Sequence, residues 1–151
     1  MFKTAAKVAL LIIAFVAVTY AFVRYNRVAL PEGPVPVVWD GEVCTYCKMH
    51  VGDPRFAAQL QTTDGGVLNF DDPGCLFDYL GSHSPSIHAL YFRNHRGDGW
   101  LREEETGFIE VSDSPMGYGI AAVPKDRAGA QSIDWARARV KARPHHRHGA
   151  P

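Results

Sequence analysis

The sequence predicts an α+β fold, in which short strand-like runs and two helices follow an apolar N-terminal stretch. One observation behind this is a hairpin signal: the runs 56–62 and 67–70 flank Asp64-Gly65-Gly66, and an Asp/Gly turn between strand-like segments favours a tight reversal. A second is a fully punctuated helix, with an Asp N-cap ahead of Pro73 at the first helical position and Gly81 after Leu80. The third is an Ala/Arg-rich segment beginning near Asp126, where Ala130, Ile133, Ala136 or Arg137, and Val140 recur at helical spacing.

In chain order, Lys3 and Lys7 precede an uncharged run from Val8 to Val23, which Arg24 and Arg27 close. Such a run is either a membrane anchor, with the lysines snorkelling, or the apolar core of a signal peptide. Tyr20, Phe22 and Val23 occupy the place where a small-residue cleavage site would lie, which favours the uncleaved anchor for residues 1–27. Residues 28–38 are proline-rich without helical periodicity and read as an extended, semi-rigid linker. The folded unit is then expected over 39–144. After the first helix, 88–93 and 107–112 read as strands around a polar turn at 94–99, and a Pro-Met-Gly-Tyr-Gly loop leads into the strand-like 120–123. Arg137, Arg139, Lys141 and Arg143 complement the C-terminal end of the last helix and form a solvated face. Pro144 is its expected stop, and 145–151 is a His-rich tail.

Composition narrows the function classes. With 16 basic and 16 acidic side chains the charges balance, which gives no support to a nucleic-acid partner. Its 46% hydrophobic content is enough for a buried core. Cysteine occurs 3 times, an odd number, so at least one thiol is free, bound to a metal or bridged to a partner.

Chemistry concentrates in Cys44-Thr45-Tyr46-Cys47-Lys48-Met49-His50. A Cys-x-x-Cys spacing turns two sulfurs toward one point and serves a metal or a redox disulfide equally. Met49 tilts the choice toward a soft metal, because thioether sulfur suits Cu(I) and is seldom used by zinc. Cys75, in the first turn of the predicted helix, is either a buried core residue or a ligand whose pKa the helix dipole lowers. Capping accounts for Asp71 and Asp72 without a metal. Met116 stands in an open loop with no packing reason visible in the sequence, which raises a ligand role. His50, His83 and His88 read as ordinary surface or core histidines. There is no Gly-x-Ser-x-Gly elbow and no phosphate-cradling glycine loop, so nothing in the sequence asks for an enzyme.

Taken in order, 43–49 with Cys44, Cys47 and Met49, then 54–59, then 70–80 around Cys75, and finally 115–123 around Met116, resemble the NosL family, accessory proteins of nitrous oxide reductase. The resemblance covers about residues 42–140. It implies a Cu(I)-binding protein of the bacterial cell envelope that supplies the reductase's copper–sulfide centre. It also implies a fold of two related halves, each a few strands plus one helix. Cys47 and Met49 match the family's Cys-Gly-Met signature, and Met116 matches its later methionine. The chain departs from the pattern at Lys48, which replaces the usual glycine, in its apolar anchor where many members are lipoproteins, and in a short second half. Two other readings stay open: a thiol–disulfide oxidoreductase using Cys44 and Cys47, and a structural zinc site of Cys44, Cys47, Cys75 and a histidine.

Overall fold

The computed structural model describes residues 2–25 and 29–143. Helix α1 (Phe2–Tyr25) leads a mixed α+β domain built from a four-stranded and a two-stranded antiparallel sheet. The first sheet, in the order β2-β1-β3-β4, comprises β1 (Ala58–Thr62), β2 (Val67–Phe70), β3 (Ile87–Arg93) and β4 (Trp100–Arg102). Helix α2 (Pro73–Ser82) connects β2 to β3, and a 3-10 turn (Glu103–Glu105) follows β4. The second sheet pairs β5 (Thr106–Glu110) with β6 (Ile120–Pro124), and α3 (Ile133–Lys141) completes the described chain.

The Asp-Gly-Gly turn does make a hairpin: β1 and β2 pair from Ala58↔Phe70 to Gln61↔Val67, and Gly65 takes φ +89°. Helix α2 starts as its punctuation demands, with Pro73 in the first turn and the Asp72 carboxylate accepting the Gly74 N–H. Gly81 does not end it. The helix continues through Ser82, whose hydroxyl bonds the Asp78 carbonyl, and His83 is the cap. The second helix begins later than its composition suggests, at Ile133. Ser132 accepts the Trp135 N–H there, while 126–129 form turns. Ala136 and Val140, one helical turn apart, are its buried face, and the arginines remain outside as expected.

Phe77 of α2, Phe92 of β3 and Phe108 of β5 meet edge to face or tilted, with ring centroids 5.2–5.9 Å apart. This aromatic triangle joins the two sheets into one core, and truncating any of the rings would cost about 3–5 kcal/mol. Over 29–38 the proline-rich segment forms no helix or strand, and it is docked and does not stand off the domain. Buried Gln59 exchanges hydrogen bonds with Val35, at 2.8 and 2.9 Å, and buried Gln61 donates to the Gly33 carbonyl at 2.8 Å. Burying two amides calls for hydrogen-bond partners, and the backbone of this segment supplies them to both groups of Gln59 and to the Gln61 NH2.

Helix α1 is 24 residues long, and Leu10, Leu11, Ile13, Phe15, Val18 and Phe22 are exposed on it. Among the described residues, no helix is long and apolar enough to cross a membrane. Pro144 and the His-rich 145–151 lie outside the described residues.

Candidate metal centre

Residues 42–51 form a small closed hairpin. The Val51 N–H donates to the Glu42 carbonyl (2.9 Å) and the Cys44 N–H to the Met49 carbonyl (2.7 Å), with Val43 bridged to His50 between them. The Lys48 N–H closes the tip onto the Cys44 carbonyl at 3.2 Å, which puts Lys48 in the left-handed region at φ +65°. Two further bonds fix the hairpin to the domain: the Thr45 N–H donates to the Asn69 carbonyl, and the Gly52 N–H to Asp71 Oδ1 at 3.1 Å. Asp71 is thus not a helix cap but a tie at the base of the Cys-x-x-Cys hairpin.

That tie brings the hairpin against the start of α2, and the three cysteines converge. The sulfurs of Cys44, Cys47 and Cys75 all lie within 4.8 Å of one another. Three sulfurs sharing one ion at metal–thiolate bonds of ~2.3 Å stand roughly 4 Å apart. The cluster therefore fits a single metal ion after a small contraction. Cys44 and Cys75 are completely buried while Cys47 is partly exposed, so the cluster opens to solvent on the Cys47 side. Among the described residues no histidine or carboxylate joins this group.

The thiols are not equivalent. Cys44 is held far below the ordinary thiol range by hydrogen bonds from the Cys47 and Cys75 thiols and from the Asp71 and Cys47 N–H groups, which together outweigh burial. Cys47 is pushed up to about 11, chiefly because it shares its proton with Cys44. The Cys75 thiol is pushed up further, by its bonds to Cys44 and Cys47 and then by burial. The helix start does not lower the Cys75 thiol, because its hydrogen bonds to Cys44 and Cys47 and its burial push the other way, while Cys44 collects the donors.

The thioethers are placed differently. Met49 follows Cys47 on the same hairpin and is 58% exposed, so its side chain is free to turn toward an incoming ion. Met116 is half-buried against the core cluster that contains Cys44 and Cys75. Its N–H donates to Asp72 Oδ2 at 3.3 Å, tying it to the cap of the helix that carries Cys75. Of the residues that build this junction, the sequence marks Asp72 only as a helix cap and does not mark Tyr118, Asp78 or Gly74. Fully buried Asp72 serves both the helix and the Met116 loop, and burial holds its carboxyl up at about 6. The Tyr118 hydroxyl donates to Asp78 Oδ2 at 2.6 Å across the same junction. Gly74 leaves room for the Tyr118 ring, since a Cβ there would stand 2.0 Å from Tyr118 Cγ. The glycines on either side of Tyr118, both at φ near +70° (Gly117 at +68°, Gly119 at +69°), were the only sequence signal that the loop is tightly built.

Fold and site together define a small α+β domain with a three-thiol cluster able to hold a metal ion. Comparison with protein-family models, with curated proteins and with solved structures gives no match.

Proposed function

We propose that this chain is a Cu(I)-binding accessory protein that carries copper to an exported enzyme. The observation that carries the proposal is the convergence of Cys44, Cys47 and Cys75 within 4.8 Å, with one face open beside Met49. A cluster of soft sulfur with thioethers at hand suits Cu(I) better than a harder or more strictly tetrahedral ion. The ion is cargo. Cys44 offers it a ready thiolate, Cys47 and Cys75 give up protons as they take hold, and the exposed side leaves room for a client's ligand to displace one sulfur. Met49 and Met116 add neutral sulfur, which holds copper without binding it beyond release. A Cys-x-x-Cys redox enzyme usually sets its first thiol at a helix N-terminus. Here the pair lies on a bridged hairpin, and it is Cys75 that occupies the helix start. The zinc alternative needs a fourth ligand, and the described histidines lie outside the cluster.

The NosL resemblance extends the proposal to a client, the copper–sulfide centre of nitrous oxide reductase and its maturation machinery, and to the periplasmic side of the inner membrane. The described chain has the order strand–strand–helix twice, β1-β2-α2 and β5-β6-α3, which supports the reading of two related halves. The exposed apolar side chains of α1 support its association with the membrane. An anaerobic competition titration of the full chain with Cu(I) and Zn(II) tests the core of the proposal. One Cu(I) bound in strong preference to Zn(II) is the expected result, and a Zn(II) preference refutes it. For the client, a deletion strain at limiting copper should export reductase lacking its copper–sulfide centre and accumulate nitrous oxide. Full metallation in that strain removes this client. Recovery of the full-length chain from the soluble fraction would remove the membrane anchor.

A further inference from the structure

Asp72 has no exposed surface, and its two carboxylate oxygens work on different parts of the chain. Oδ1 accepts the Gly74 N–H at 2.8 Å, fixing the turn that presents Cys75. Oδ2 accepts the Met116 N–H at 3.3 Å, and the Ser114 hydroxyl bonds the same carboxylate. Ser114 in turn accepts the Gly119 N–H on its Oγ and the Gly117 N–H on its carbonyl, both at 2.9 Å, so the whole 114–119 loop closes around this anchor. A neutral serine or threonine would cap α2 without the penalty of burying a charge. Capping therefore accounts for only one of the two oxygens. The other has the Met116 loop as its task. The Tyr118–Asp78 bond latches the far side of that loop to the same helix.

We propose that Asp72 is a positioning residue of the metal site, one oxygen setting Cys75 and the other setting Met116, so that the α2 thiol and the thioether of the 114–119 loop reach the same ion. The inference rests on the Cu(I)-carrier reading above. Asp72→Asn separates the two tasks. Asparagine caps as well as aspartate. Its single acceptor oxygen stays with Gly74, and its NH2 then faces the Met116 N–H, donor against donor.

The test uses the full chain carrying Met49→Leu, labelled with selenomethionine and loaded anaerobically with one equivalent of Cu(I). Copper-edge X-ray absorption reads copper–selenium scattering, and a Met116→Leu sample gives the background from Met1. The expected result is a copper–selenium signal in the starting protein that disappears in Asp72→Asn while the thiolate sulfurs remain. Affinity should fall by about 10–100-fold, the usual range for an outer-shell partner. Tyr118→Phe should lower the signal by a smaller amount. An undiminished signal in folded Asp72→Asn overturns the inference. Should Asp72→Asn lose its circular-dichroism signature, Tyr118→Phe decides, and an unchanged signal there overturns it equally. Cu(I) bound by thiolates with no selenium signal in the starting protein overturns the inference and leaves the carrier reading standing. Failure to bind Cu(I) at all takes down both.

Discussion

The hairpin 42–51 and the loop 114–119 both present sulfur, and they are built by opposite means. The hairpin closes on itself: its defining bonds join residues less than ten apart, and its tip adopts a left-handed turn at Lys48. The Met116 loop depends on distant partners, Asp72 and Asp78, reached across α2. The first presents thiols whose protons must be displaced, the second a thioether that never titrates. A local motif thus carries two of the three clustered thiols, while tertiary contacts place the Met116 loop. Damage to one should be separable from damage to the other.

Acid gives the largest separation. The Cys44 thiol is drawn well below the ordinary range, whereas Cys47, pushed up to about 11, and Cys75, also raised, hold their protons more tightly. Binding Cu(I) to all three therefore releases about two protons, and lowering the pH restores their competition with the metal. The dissociation constant should rise by about 100-fold for each pH unit lost below neutrality, so the affinity weakens in acid. Competition titrations at pH 6, 7 and 8 read the slope directly. A flat profile would mean that neither the Cys47 nor the Cys75 thiol gives up a proton to the ion. The slope should survive Met116→Leu, because a thioether takes no proton.

Cys44→Ser comes next. Its sulfur is buried and collects hydrogen bonds from two thiols and two backbone N–H groups, and oxygen is a poor substitute for soft thiolate. Cu(I) affinity should fall by more than about 100-fold, beyond the range of outer-shell changes. Equal affinity would identify Cys44 as a structural thiol and leave Cys47 and Cys75 as the ligands.

Gly74→Ala attacks the loop and spares the hairpin. The new Cβ would meet the Tyr118 ring at 2.0–2.4 Å, so the ring must leave and the bond to Asp78 must break. Overpacking of this kind costs about 1–3 kcal/mol, read as a lower denaturation midpoint. Unchanged stability would show that the latch is slack.

The same contrast explains what the sequence disclosed. The β1–β2 turn and the Asp72–Pro73 start of α2 are local rules written in adjacent residues, and both elements form there. The Cys-x-x-Cys-x-Met run is also local, and it locates the hairpin half of the site. Strand β4 was invisible, because Trp100-Leu101-Arg102 has neither length nor alternation and becomes a strand only by pairing with β3. The docking of the proline-rich segment depends on two glutamines that face inward, which periodicity gives no reason to expect. For Cys75 the sequence leaves burial and ligation open, and the structure makes it both buried and part of the cluster. The helix dipole alone misleads about its thiol, because only the folded arrangement brings Cys44 and Cys47 against it.

Lys48 carries the smallest expected effect and the sharpest test of the hairpin's self-sufficiency. It holds φ +65°, a conformation that costs a residue with a Cβ about 1–2 kcal/mol, and it stands where the resembled family places glycine. Its ammonium donates to the Thr45 carbonyl at 2.6 Å on the exposed side, which recovers part of that cost. Lys48→Gly should remove the strain, lose this exposed bond and add unfolded-chain entropy. The net gain should be under about 1 kcal/mol, a rise of a few degrees in Tm for a domain of this size. Lys48→Ala separates backbone from side chain, because alanine keeps the strain and loses the bond. It should fall slightly below the parent while glycine rises above it. If alanine and glycine prove equal, the left-handed turn is not strained and the hairpin owes its shape to Asn69 and Asp71. With the glycine form more stable, Cu(I) affinity should stay within about threefold of the parent, since neither the Cys44 nor the Cys47 backbone has to move.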